Sequence, residues 1–293
     1  MSEKKDMGSS RTHSAFHIPH SEFLMCPPTH YTIAYEINPW MHLQRPAARR
    51  RAQHQWQQLY RLLRRQLRCR VRLIRPVAGL PDLVFTANAG LVHGWTFIPS
   101  RFRYPQRQGE SPVFERYFRR EGFRIRPLRQ AHFFEGEGDA LWVGSTLLVG
   151  FRFRSDAPVH EELGRLLGAR VLPVELVDRR FYHLDTCFCP LDAHSALWFP
   201  GAFDRYGRTV ITGLVEDPIA VSAADAARFA CNAIVVGRTL VLHEGCSRRL
   251  QRQLERRQYD VRRVNLSEFL KAGGSAKCLV LQMSSKLEVR SSK

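Results

Sequence analysis

Ala140-Leu-Trp-Val-Gly-Ser-Thr-Leu-Leu-Val-Gly150 is an apolar run interrupted once, at Gly144-Ser145, between two halves rich in strand-forming residues. Two small residues between such halves mark a tight hairpin. The arrangement recurs in Ala233-Ile-Val-Val-Gly-Arg-Thr-Leu-Val-Leu-His243 and, more loosely, in Gly90-Leu-Val-His-Gly-Trp-Thr-Phe-Ile-Pro99. Each hairpin leads into a helical pattern and then another strand: 158–167 and 169–174 after the first, 247–257 and 259–264 after the second, 112–121 and 123–127 after the looser copy. A fourth, irregular copy runs from Ala196-Leu-Trp-Phe-Pro200 to an expected helix over 222–230. A strand-strand-helix-strand unit of this size cannot bury its own apolar face, so the copies must pack around a common axis or stack. The expected fold is α/β, a closed ring of such units in which loops from distant parts of the chain converge at one mouth.

The 293 residues can bury a sizeable core, as one large domain or two small ones. Roughly the first fifteen residues carry almost no apolar side chains and read as a disordered tail, leaving 16–293 as a single catalytic domain. Seven cysteines, an odd number, and no apolar leader at the N-terminus point to a reducing cytoplasm. The longest apolar runs are far too short to cross a bilayer, so no membrane is expected. A net charge of +18 invites a nucleic-acid reading. Against it, 39 of the 45 basic residues are Arg, spread along the chain with one dense stretch over 45–75. There Trp56, Leu59, Tyr60, Leu63 and Leu67 recur at helical spacing, which places the arginines on the opposite, solvated face. A basic nucleic-acid-binding protein is the non-enzyme alternative.

Chemistry concentrates in two stretches. In Lys271-Ala-Gly-Gly-Ser-Ala-Lys-Cys278-Leu-Val-Leu-Gln282 a glycine bend delivers one thiol to the start of a strand, with Lys277 to supply a positive field. The competing reading is a small buried hydrophobe. In Phe181-Tyr-His183-Leu-Asp185-Thr-Cys-Phe-Cys-Pro190 a histidine and a carboxylate stand two apart in a strand-like run, which would place both on one face with Asp185 orienting the imidazole. Cys187 and Cys189 read as strand packing rather than metal ligands. With no phosphate loop or dinucleotide fingerprint, no cofactor is implied.

Seven motifs in order complete the picture: Phe23-Leu-Met-Cys-Pro-Pro28, Ile37-Asn-Pro-Trp-Met41, Pro81-Asp-Leu-Val-Phe-Thr-Ala-Asn88-Ala-Gly90, Phe134-Glu-Gly-Glu-Gly-Asp139-Ala140, Phe151-Arg-Phe-Arg154-Ser-Asp156, Tyr182-His-Leu-Asp-Thr186 and Gly-Gly-Ser-Ala-Lys-Cys278. From 23 to 282 the chain resembles the guanidino-group modifying enzymes: arginine deiminase, dimethylarginine dimethylaminohydrolase, the amidinotransferases and the arginine dihydrolases. The resemblance implies a fivefold pseudo-symmetric α/β propeller, the pentein fold. It also implies a small guanidino substrate such as arginine, and leaves a homo-oligomer open.

The resemblance makes Cys278 the nucleophile, His183 the acid and then the base, and Asp185 the acid that meets substrate or orients the histidine. Glu135 is the expected guanidinium clamp, with Glu137 a rival because Glu-Gly-Glu-Gly-Asp departs from the commoner family spacing, and Asp139 binds substrate or supports its loop. Asn38 would touch the reacting group, Arg101 and Arg154 would pair the substrate carboxylate, and Ser275 would meet the amine or shape the bend. Asn88 stands where deiminases and dimethylarginine hydrolases carry Asp. An amide can accept from a guanidinium and donate to a ureido oxygen, which favours arginine dihydrolase, giving ornithine, carbon dioxide and ammonia. Dimethylarginine dimethylaminohydrolase or deiminase chemistry ending at citrulline, and amidino transfer, are the alternatives.

Overall fold

The computed structural model describes residues 21–129 and 131–283; the expected tail over 1–15 lies outside the described residues. Fifteen short strands assemble among them into five three-stranded sheets. In chain order these are β1 (Glu22–Met25), β2 (Arg70–Leu73), β3 (Gly90–His93), β4 (Thr96–Pro99), β5 (Arg124–Ile125), β6 (Ala140–Val143), β7 (Thr146–Phe151), β8 (Arg170–Glu175), β9 (Phe188–Pro190), β10 (Ser195–Trp198), β11 (Asp217–Ala220), β12 (Ile234–Val236), β13 (Thr239–His243), β14 (Asp260–Val264) and β15 (Leu281–Gln282). The sheets are β15-β1-β2, β3-β4-β5, β6-β7-β8, β9-β10-β11 and β12-β13-β14. In each, the first strand pairs antiparallel with the second and the second runs parallel to the third. A parallel pair needs a crossover, and the intervening helix supplies it. The repeat read from the sequence is thus the blade of an α/β propeller, and the first blade, β15-β1-β2, joins strands from the two ends of the chain.

The three hairpins form as expected, with two-residue turns at Gly94-Trp95, Gly144-Ser145 and Gly237-Arg238. Their glycines take φ of +54°, +57° and +59°, the left-handed conformation such turns require. The irregular copy needs correction. Its helix is Arg205–Leu214, capped by Asp204, which accepts from the backbone of Tyr206 and Gly207. The 222–230 stretch holds only the turn Ala223–Ala226. Gly, Thr, Val and Ile within Arg205–Leu214 are poor helix formers that hide it from a propensity reading. Packing of Ile211, Val210 and Leu214 onto the neighbouring core overrides that weakness. The arginine-rich helix forms over Arg49–Arg61 and widens into a π turn over Leu62–Gln66, burying Trp56, Leu59, Leu62 and Leu63.

Four of the inner strands begin directly after a tight 3-10 turn: Thr86–Ala89 before β3, Gly136–Gly138 before β6, Leu184–Thr186 before β9 and Lys277–Leu279 before β15. These turns pack on one another around the axis. Close approach sets their glycines. A Cβ on Gly90 would lie 2.3 Å from the Ile98 carbonyl oxygen and 2.5 Å from the Phe97 ring. Gly90→Ala is therefore expected to cost about 1–3 kcal/mol as an overpacked site, measured as a lower urea midpoint at unchanged slope.

Candidate active site

Each blade sends a polar residue into the layer of turns: Asn88, then Glu135, Glu137 and Asp139, then His183 and Asp185, then Asn232, and finally Cys278. The expected strand carrying His183 and Asp185 is instead an extended residue followed by a 3-10 turn, so the two side chains diverge to different partners. His183 Nε2 lies 2.7 Å from Glu135 Oε2. Asp185 Oδ2 accepts from the Cys278 thiol at 3.4 Å. Of the two roles expected of Asp185, orienting the imidazole thus falls to Glu135, while Asp185 faces the sulfur.

Glu135 is fully buried and also accepts from Arg154 Nη1 at 3.1 Å and from the Arg103 backbone at 3.2 Å. Burial alone would raise its carboxyl, but Arg154 and the bond from His183 outweigh it and hold the group well below the usual carboxylate range. Burial lowers His183 to about 4, against the opposing pull of Glu135. A neutral imidazole beside an ionised carboxylate donates through Nε2–H, leaving Nδ1 as the basic nitrogen. Burial pushes the Cys278 thiol well above its ordinary value, and Asp185 adds to that. Burial likewise raises Asp185 to about 7, with Lys277 pulling the other way.

Cys278 is only 3% exposed and sits within a 3-10 turn rather than at the head of a strand. Lys277 points away from it, donating to Glu137 Oε2 at 2.7 Å. That pairing removes Glu137 as the rival clamp. What holds Cys278 in place is Asn232, which the sequence reading missed. Its Oδ1 accepts from the backbone of Ser275 at 3.0 Å and Cys278 at 3.1 Å, and its Nδ2 donates to the Asp185 carbonyl at 3.0 Å and to the sulfur at 3.1 Å. The repeat itself was the available signal, since Asn88 and Asn232 both stand two residues ahead of an inner strand.

A narrow pocket ends on Cys278 and is lined by Asn38, Asp82, Asn88, Arg107, Arg154 and Tyr182 among others. Asn38 accepts from Trp40 N and donates to the Ala272 carbonyl, bracing the glycine bend. Asn88 Oδ1 accepts from Arg107 Nη1 at 2.9 Å, and Nδ2 donates to the Glu135 carbonyl at 3.4 Å. Arg154 lies against the rings of Tyr104 and Tyr182, each 4.6 Å away. Arg101 does not line this pocket; its backbone pairs with Phe134. Arg107, which carries no motif of its own, lines the pocket instead, buried and bidentate to Glu110. Asp139 supports its loop, accepting from Ser155 Oγ at 2.6 Å and Leu184 N at 3.1 Å. Ser275 Oγ and Asp185 Oδ1 are buried without a hydrogen-bond partner among the described residues. Cys187 and Cys189 pack in the core between the fourth blade and its neighbours.

Fold and site together are those of a guanidino-group modifying enzyme. A family model described as N,N dimethylarginine dimethylhydrolase, eukaryotic, matches residues 32–285, and the chain belongs to that family. It is 46% identical over 266 residues to the bifunctional arginine dihydrolase/ornithine cyclodeaminase AgrE of Nostoc sp., covering 89% of this chain and 37% of that relative. It is 40% identical over 261 residues to the N(G),N(G)-dimethylarginine dimethylaminohydrolase of Mycobacterium tuberculosis, covering 89% and 85% of the two chains. The crystal structure of the N-terminal domain of ArgZ, a cyanobacterial arginine dihydrolase bound to product, superposes with a TM-score of 0.87 at 43% identity, covering 90% of this chain and 98% of that one.

Two measurements probe this geometry. Asn232→Ala leaves two buried N–H groups without their acceptor, an expected loss of about 1–3 kcal/mol in urea unfolding. For Asp185 the folded value of about 7 lies above the ordinary 3.8, so its contribution to stability is full below the lower value and is lost as pH rises through the upper one. Asp185→Asn removes that slope. Its stability relative to the parent should therefore rise between pH 5 and pH 8, and an unchanged difference would contradict the assignment.

Proposed function

We propose that the protein is a cofactor-independent cytoplasmic hydrolase that removes both guanidino nitrogens of arginine, giving ornithine, carbon dioxide and two molecules of ammonia. The observation that carries this reading is the placement of Asn88. It lines the same pocket as Cys278, and Arg107 engages its carbonyl, so the amide is oriented with its nitrogen as the remaining donor. A carboxylate there would hold a cationic guanidinium but repel the oxygen of a neutral ureido group. An amide N–H accommodates that oxygen and keeps citrulline in place for a second attack.

In the proposed course, Asp185 Oδ1 and Glu135 take the N–H edges of the guanidinium, and Arg154 and Arg107 meet the substrate carboxylate. The cation offsets the burial that keeps the thiol protonated, and the sulfur proton passes by way of Asp185 to Nδ1 of His183. The thiolate attacks the central carbon, and His183 delivers a proton to the departing ammonia. Water activated by His183 then cleaves the carbon–sulfur bond, restoring the thiolate and releasing the ureido group. A second attack at that carbon expels the second ammonia and leaves a thiocarbamate on sulfur. Hydrolysis frees a carbamate, which loses carbon dioxide. Two waters are consumed in all. Asn232 keeps the sulfur in register but takes no part in bond making.

Cys278→Ser should abolish ammonia release from arginine with folding retained. Asn88→Asp should stop the reaction at citrulline, read by mass spectrometry of the products. Citrulline as the sole product of the unaltered protein would overturn the dihydrolase reading in favour of a deiminase.

A further inference from the structure

The axis of the propeller holds a second cavity of about 480 Å³, within the roughly 300–1,000 Å³ typical of small-molecule sites. It shares no lining residue with the pocket at Cys278. The layer of 3-10 turns lies between them, because the pocket is built where the inner strands begin and the cavity follows those strands toward their hairpin turns. Every blade supplies an apolar side chain to the wall, among them Phe23, Val92, Leu141, Phe188 and Ile234. The rim includes the hairpin turns at Gly144 and Asp192–Ala193.

The floor is the pair Glu137–Lys277, and its hydrogen bonding is lopsided. Glu137 Oε2 accepts from Lys277 Nζ at 2.7 Å and from Gln282 N at 3.1 Å, whereas Oε1 accepts from no described residue. The Lys277 ammonium is engaged by that carboxylate and by the Val280 carbonyl at 3.4 Å. The open function at the bottom is therefore an acidic acceptor, Glu137 Oε1, whereas Asp192 at the rim is already paired with Arg238 and accepts from Tyr259. A carboxylate ligand would lie against Glu137 Oε1 and have to compete with that acid for Lys277. An ammonium finds a partner oxygen and aromatic faces around it. The apolar wall in turn demands an apolar body behind the charge.

We propose that this axial cavity is a second ligand site, for a small primary amine carried on an aromatic or branched aliphatic group, bound with its ammonium on Glu137. The site is independent of the reaction assigned to Cys278 and would stand if that reading failed.

The probe is 2-phenylethylamine added to the full chain, with binding read by calorimetry and by saturation-transfer NMR, and its position by crystal soaking. Expected are saturable binding, density along the propeller axis, and binding unchanged in Cys278→Ala. Glu137→Gln should weaken it about tenfold, a change of about 1.4 kcal/mol. Val235→Trp should abolish it by filling the cavity. Ala193→Phe, at the exposed rim, serves the same purpose without disturbing the core. Phenylacetate, with the same body and the opposite charge, should bind at least about tenfold more weakly than the amine. The proposal is overturned if wild-type protein shows no binding at 10 mM amine (roughly the weak limit of a specific site), if phenylacetate binds as well, if both cavity-filling variants bind normally, or if the only density lies beside Cys278.

Discussion

A pairing of two residues, Phe23 with Gln282 and Leu24 with Leu281, joins the ends of the chain and completes the first blade. The rest depends on it. Cys278 lies three residues ahead of β15, so the register that closes the ring also sets the height of the nucleophile in the layer of turns. The Lys277–Leu279 turn packs against Thr86–Ala89, which brings Asn88 to the sulfur's pocket. Four further blades would remain four hairpins around a gap without that strand, because no single blade buries enough apolar surface to stand alone.

Packing five polar turns at an axis forces acids and bases out of water, and the charges are consequently arranged in opposed sets. Glu135 is ionised because Arg154 and His183 compensate its burial. Asp185 has only the more distant Lys277 and the neutral Cys278 and Asn232, so it sits near neutrality. Glu137 and Lys277 neutralise each other and divide the axis into a polar end and an apolar end. A chain of net charge +18 thus gathers three buried acids about Cys278: Asp82 in the pocket wall beside Arg107 and Arg154, Asp185 on the sulfur, and Glu135 on Arg154 and His183.

Much of this was legible along the chain. The hairpins at Ala140–Gly150 and Ala233–His243 announce themselves because strand alternation and glycine turns are local properties, and the ring follows from the repeat. The candidate residues Cys278, His183, Glu135, Asn88, Asn38, Asp185 and Arg154 do gather at one place. Their pairings were not legible. Asp185 stands two residues from His183, and a period-two reading joined them, but the chain turns tightly there and sends each side chain to a different blade. Asn232 and Arg107 lie in stretches with no local mark: only its place in the repeat distinguishes the asparagine, and nothing distinguishes one arginine among 39.

The sequence by itself determined the class of fold, the family and the residues available for chemistry, because periodicity, turn glycines and ordered motifs are written in neighbouring positions. Only the tertiary structure decided which acid holds the imidazole, which faces the thiol, and that Asn232 fixes the cysteine loop. Those are contacts across 43 to 93 positions of chain, and their energies come from burial and hydrogen-bond satisfaction, quantities that exist only once the blades have closed around the axis.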